Sequence, residues 1–228
     1  MDKVELVARS RELFGDILKA PYFRNHAATS GAAHAPSKHE EAVENDFKRH
    51  GLTAWDKKLP KKQVRAWIDN PSEAEEMPSM SYIAQPCGTN DNPDFLVKLA
   101  PGVVLGVESK SSDTPHPQYN SGGITSNYLY IFTCSKTNRT TIYLGRDLIT
   151  AEAQALIDAH IAEARKRDEA LAVKLAALDV HHRGVTYYTR PMIIQNGDAS
   201  YTNYFTHAER EQCEKNVFKF VEDMIQNA

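Results

Sequence analysis

Apolar residues at the start of the chain recur near a 3.6-residue period. Val4, Val7, Phe14, Ile17 and Leu18 form a stripe that Leu6 and Leu13 widen, which predicts an amphipathic helix over residues 2–19. The Ala-rich stretch 26–36, with Ser and Gly, breaks the period and reads as a loop. Ser37 followed by Glu40 is a capping-box signature, and the helix it opens runs to about His50, where Gly51 stops it. A basic and then acidic segment, read as irregular, leads through SYIAQPCGTNDNPDF into an apolar hairpin. YLYIFTC is expected to be a buried strand and TTIYLG its hairpin partner. Residues 152–178 predict a long Ala-rich helix, more a packed domain helix than an arm, whose use if it projects would be dimerisation. VTYYTRPMIIQ reads as a strand pair or edge, because Pro191 removes a ladder donor, and Thr206 opens the last helix. The order helix, hairpin, strand, helix, strand, helix predicts an α/β (α+β) fold with a mixed central sheet flanked by helices. One domain is expected over residues 1–228, with 151–205 as a candidate inserted helix and recognition or dimerisation region.

The hairpin PDFLVKLAPGVVLGVESK carries the candidate chemistry. Folded about Pro101, it sets Asp94 opposite Glu108, and opposed residues share a face. Lys110, two residues past Glu108, projects from that face as well. The other face then carries Phe95, Val97, Leu99, Val103, Leu105 and Val107, all apolar. The register that buries this set therefore brings two carboxylates and an ammonium together. As a bland alternative, Asp94 begins a strand and Glu108 with Lys110 forms a solvent-face ion pair of little value. That explains each residue singly, but not their meeting at one end beside the polar GTNDN and SSD loops.

Composition narrows the setting. At 228 residues, 25% charged and 41% hydrophobic, the chain fits an ordinary globular protein with one substantial domain. No run approaches the ~18 apolar residues of a membrane span, and the N-terminal segment lacks the apolar centre of a signal peptide, so a cytoplasmic location is expected. Cys87, Cys134 and Cys213 are odd in number and lack CxxC spacing, which indicates neither a disulfide framework nor a zinc site. His181 and His182 read as surface or loop residues. The net charge of -3 does not advertise a nucleic-acid binder, but Lys57, Lys58, Lys61, Lys62 and Arg65 cluster ahead of Glu73, Glu75 and Glu76. Such a run is either a solvated loop or a face for phosphates.

Pro93-Asp94 followed by Glu108-Ser109-Lys110 at the end of the next strand, with a Glu-bearing helix before them, resembles the PD-(D/E)XK nuclease signature, and in context Type II restriction endonucleases. The resemblance runs from about Ser37 to Cys134. It implies a restriction-endonuclease-like fold and Mg²⁺-dependent, site-specific hydrolysis of double-stranded DNA, with Mn²⁺ able to substitute. Asp94 and Glu108 would be metal ligands, with the Ser109 carbonyl as a third. Hard oxygen donors of this kind suit Mg²⁺. Lys110 would hydrogen-bond the attacking water and offset charge on the phosphorane. Glu40 shares a helical face with Val43 and Phe47 and so points toward the sheet. By resemblance it would support the metal site, and by local pattern it completes the capping box; both readings stand.

Polar loop residues Gln85, Thr89, Asn90, Ser112, Tyr119, Asn120 and Ser121 flank the proposed centre as candidate DNA contacts, and Arg183, Arg190, Gln195, Asn196 and Asn203 lie where a specificity element could be inserted. Lys57, Lys58, Lys61 and Lys62 would grip phosphates without reading bases. A homodimer matching a palindromic site is expected, with a cognate DNA methyltransferase in the same host but not bound to it. Two alternatives remain: a repair or recombination nuclease of the same fold, and a non-catalytic DNA-binding module.

Overall fold

The computed structural model describes residues 2–20, 38–88, 91–119, 123–189, 192–193, 195–197 and 200–228. Helices α1 (Lys3–Lys19) and α2 (Lys38–Arg49) come first. They are followed by β1 (Thr53–Ala54), α3 (Lys61–Asp69), β2 (Ser81–Ala84), β3 (Phe95–Ala100) and β4 (Val103–Ser112). The remainder comprises β5 (Tyr128–Cys134), β6 (Arg139–Leu144), α4 (Ala151–Leu178), the short pair β7 (Asn196–Gly197) and β8 (Ser200–Tyr201), and α5 (Arg210–Asn227).

Strands β1 to β6 form one mixed sheet in sequence order. The β1–β2 and β4–β5 pairs are parallel, and the other three are antiparallel. The hairpin register is the one the apolar pattern predicts: Phe95 pairs with Val107, Leu96 with Gly106 and Val97 with Leu105. Phe95, Val97, Leu99, Val103, Leu105 and Val107 all enter a core roofed by α1, α2 and α5. The opposite face is also dry: Leu96, Val104, Tyr128, Tyr130 and Tyr143 pack there with Val64, Trp67 and Ile68 of α3 and with Tyr204 and Phe205. A sheet buried on both faces has its strand ends as the natural place for a polar site.

Both N-terminal helices lie where periodicity places them. Asp2 caps α1, accepting the Glu5 N–H at 2.8 Å. Gly51, at φ 82, supplies the left-handed residue that ends α2. The 26–36 loop and Ser37 lie outside the described residues.

Four expectations need correction. The charged segment read as irregular contains α3, whose Val64, Trp67 and Ile68 follow a helical i, i+3, i+4 spacing that the surrounding lysines obscure. Residues 182–189 form no strand, and Ile193 makes only an isolated bridge to Tyr119. The last helix starts at Arg210 and not near Thr206, because Asn203 turns the chain first, its side-chain oxygen accepting from the Phe205 N–H at 2.9 Å. Finally, α4 spans the expected residues, yet none of them is buried. It is not a packed domain helix.

Among the described residues no helix is long and apolar enough to cross a membrane.

Candidate active site

The end of β2 and the start of β3 meet beside the second half of β4. Ala84 pairs with Phe95 at the end of β2, and the next residue continues the ladder, the Gln85 N–H donating to the Asp94 carbonyl at 2.7 Å. The β3–β4 register carries Asp94 opposite Glu108. Gln85, Asp94 and Glu108 thus occupy successive places in one row across the sheet, and the ladder extends it through Tyr130 to Tyr143. Those two tyrosines stack with ring centroids 5.3 Å apart and wall one side of the row.

Each polar group in the row is held by specific partners. Asp94 Oδ2 accepts the Ser109 backbone N–H at 2.7 Å, and Asp94 Oδ1 accepts from Gln85 Nε2 at 3.2 Å. Gln85 Nε2 also donates to Glu40 Oε2 at 3.0 Å. One amide therefore bridges two carboxylates, one from α2 and one from the hairpin. Lys110 Nζ meets Glu108 Oε1 at 2.5 Å. Glu108 Oε2, Gln85 Oε1 and the Ser109 hydroxyl, by contrast, are buried with no hydrogen-bond partner. Buried polar atoms are nearly always satisfied, so the Glu108 and Gln85 oxygens stand out as unpaired acceptors in the carboxylate row.

Burial governs the electrostatics. Glu108 is 5% exposed; desolvation pushes its carboxyl up to about 7, helped by the Asp94 charge and opposed by Lys110. Desolvation also raises Asp94, against the pull of Lys110, the Ser109 N–H and Gln85. Burial would lower Lys110, but Glu108, Asp94 and Glu40 together outweigh it and hold the ammonium above its ordinary value. Lys110 is therefore a cation at neutral pH.

Among the described residues no group of three or more His, Cys, Asp or Glu side chains is arranged as a metal site. Mg²⁺ does not need one, since it binds through one or two carboxylates and keeps several waters. Asp94 and Glu108, the latter with one buried oxygen that has no hydrogen-bond partner, fit that donor chemistry.

Of the other expected contacts, Glu40 joins the site through Gln85, on the α2 face that buries Val43 and Phe47. Gln85 itself, expected at DNA, belongs to the carboxylate row. Lys57 lies over the Trp55 ring, 5.1 Å from its centroid, and pairs with Glu76. Lys61 pairs with Asp91, which Arg65 also approaches at 3.6 Å. Lys58 and Lys62 are exposed. Ser112 ends β4 and exchanges a 2.8 Å hydrogen bond with the Thr114 hydroxyl. Tyr119, expected as a DNA contact, is 1% exposed and its hydroxyl bonds those of Tyr143 at 2.8 Å and Tyr204 at 3.0 Å, so its side chain belongs to the core. Arg183 is exposed beyond α4, its N–H donating to Asp179 at 3.1 Å. His181 and His182 are exposed, as expected. Thr89, Asn90, Asn120, Ser121 and Arg190 lie outside the described residues.

Sequence reasoning missed the bridging role of Gln85, whose only signal was its place directly after a strand, and Asp91, which takes up two members of the basic run. It also missed Lys98, 3% exposed, which donates to the Ala74 carbonyl at 2.6 Å and ties the segment after α3 to the sheet.

In comparisons with family models, curated proteins and solved structures, nothing matches this chain.

Proposed function

We propose that this protein is a Mg²⁺-dependent, site-specific endonuclease of double-stranded DNA, of the Type II restriction kind, with a restriction-endonuclease-like fold. It would act as a cytoplasmic homodimer beside a cognate methyltransferase. One observation carries the reading: Asp94, Glu108 and Lys110 meet at adjacent strand ends, with one Glu108 oxygen buried and unpartnered.

Asp94 and Glu108 would hold Mg²⁺, with the Ser109 carbonyl as a further donor and Mn²⁺ as a substitute. When bound, the ion supplies Lewis-acid polarisation of a phosphoryl oxygen and a more acidic water. The protein's own residues do the rest. Gln85 keeps Asp94 oriented by its amide hydrogen bond and keeps Glu40 near without a direct clash of charges. Lys110, held as an ammonium by three carboxylates, donates to the attacking oxygen or to the phosphorane and offsets the negative charge that builds there. A group held in its charged form by its neighbours would serve as an electrostatic stabiliser rather than as the base that removes the water's proton. Glu108 must be ionised to bind a cation, so function should strengthen as pH rises through about 7.

The test is cleavage. Purified protein with Mg²⁺ should cut plasmid or phage DNA into discrete fragments, EDTA should stop it, and Asp94→Ala or Lys110→Ala should bind DNA without cutting. Undiminished fragments from Asp94→Ala would remove Asp94 from the mechanism. Preference for branched DNA would favour a repair nuclease, and salt-sensitive binding without cleavage under Mg²⁺ or Mn²⁺ a binding module.

A further inference from the structure

Helix α4 is 28 residues long and buries none of them. At 1.5 Å per residue it extends about 42 Å. Most helical stability in proteins comes from packing an apolar face, and here the chain only half-buries Ile157, Ile161, Ala164 and Leu175 and fully buries nothing on the helix.

The helix nevertheless carries a seam. Gln154, Ile157, Ile161, Ala164, Asp168, Leu171, Leu175 and Leu178 follow one another at alternating spacings of three and four, the a and d places of a heptad repeat. All but Gln154 and Asp168 are apolar. Asp168 is engaged within its own chain, accepting from the Thr189 N–H at 2.6 Å and hydroxyl at 2.9 Å, which pins the returning segment beside the helix. That segment adds to the apolar surface. Every exposed large hydrophobic residue described except Val4 falls between residues 156 and 192, including Leu171, Leu178, Val180, Tyr187 and Tyr188. Such concentration marks an interaction surface.

Charge identifies the occupant. The first half of α4 holds Glu152, Asp158 and Glu163 without a Lys or Arg, while the second half holds Arg165, Lys166, Arg167 and Lys174 against Asp168 and Glu169. A phosphate backbone would be repelled by the first half. An antiparallel copy of the same helix sets acidic half on basic half twice over. We infer that α4 is a self-association element, pairing antiparallel with α4 of a second copy of this chain. It names the surface of the homodimer proposed above, but rests on α4 alone and stands apart from the nuclease reading.

The test is sedimentation of the full chain from 1 to 100 μM, alongside three variants. Wild type should sediment as a dimer. Leu171→Glu with Leu178→Glu, at exposed positions that cannot disturb the core, should raise the dimer Kd at least about 100-fold and lower helical circular dichroism. In one charge variant Arg165, Lys166 and Arg167 become Glu, and in another Glu152, Asp158 and Glu163 become Lys. Each should be monomeric alone, and their mixture should form a one-to-one heterodimer. A monomeric wild type, a dimer indifferent to the Leu substitutions, or charge variants that each self-associate would overturn the inference. DNA cleavage by a monomeric wild type would do so while leaving the nuclease reading intact.

Discussion

Replacing Glu108 with Gln should stabilise the protein, and by more at high pH. The usual rule for a buried ion pair points the other way, since removing one partner costs ~3–5 kcal/mol. The site decides between them. Glu108 has one oxygen on Lys110, one oxygen on nothing, and Asp94 alongside. Its carboxyl is pushed from 4.5 to about 7 even with Lys110 present. At 1.36 kcal/mol per pH unit, that means ionised Glu108 costs the folded state about 3 kcal/mol, net of its ion pair. The sign follows from linkage: between pH 4.5 and about 7 the folded state binds more protons than the unfolded, so stability falls as pH rises through that window. Below it both states are protonated and the cost vanishes; above it the whole cost is present. Glu108→Gln keeps an oxygen for Lys110 and removes the titration. Urea unfolding without divalent metal should give a variant about 1 kcal/mol more stable at pH 5 and about 3 kcal/mol more stable at pH 8. Adding Mg²⁺ at pH 8 should recover stability for wild type alone. A variant less stable than wild type at pH 8, or a gap independent of pH, would refute the reasoning.

Other outcomes follow from the same geometry. Gln85→Leu should weaken Mg²⁺ binding about 10-fold by calorimetry, since partners of metal-binding carboxylates typically tune affinity by that much or more, and should cost about 1–3 kcal/mol of stability by removing the donor that Asp94 and Glu40 share; unaltered affinity would reduce Gln85 to a packing residue. Asp91→Asn frees Lys61 and Arg65, so DNA affinity at low salt should rise and its salt dependence steepen by about one unit of slope. Gly106→Ala would place a Cβ 2.7 Å from Ile68 Cδ1 and 3.0 Å from Tyr128, an overpacking expected to cost about 1–3 kcal/mol in denaturant titration. Tyr119→Phe should lose about 1 kcal/mol through its broken hydroxyl links and leave DNA affinity unaltered, whereas a marked drop in affinity would put Tyr119 back at the interface.

What was legible in the sequence was what repeats at short range. A two-residue alternation fixes which side of β3 and β4 is core, so the meeting of Asp94, Glu108 and Lys110 could be derived before any coordinate. Helices α1 and α2 announce themselves by period and stop signal. The second core was not legible, because Leu96 and Val104 alternate with Lys98, Gly106 and the acidic pair, a pattern that reads as a solvent face until α3 is found to cover it. Helix α3 was hidden by its own lysines. Tyr119 looked like a loop contact because nothing local shows that its hydroxyl closes a cluster with residues from β6 and from the segment before α5. Gln85 was placed near the centre, but its bridge was not legible, since it depends on the β2–β3 register and on Glu40 of α2, 45 residues away.

The contest between an ion pair and a binding site turns on satisfaction and not on proximity. A structural Glu–Lys pair buried this deeply would be expected to use both carboxylate oxygens and to keep other acids away, because each unmet oxygen costs about 1–3 kcal/mol. Here Glu108 leaves one oxygen unmet, Asp94 sits next in the row, and a single amide is shared between Asp94 and Glu40 while its own oxygen goes unpaired. Each feature weakens the fold when considered alone. Together they concentrate negative charge and vacant oxygen donors where both cores end, and natural chains retain such local conflicts chiefly where function requires them. Under the proposed reading, Asp94 and Glu108 would hold a divalent cation that offsets their negative charge, and the cost of ionising Glu108 would then appear as binding affinity.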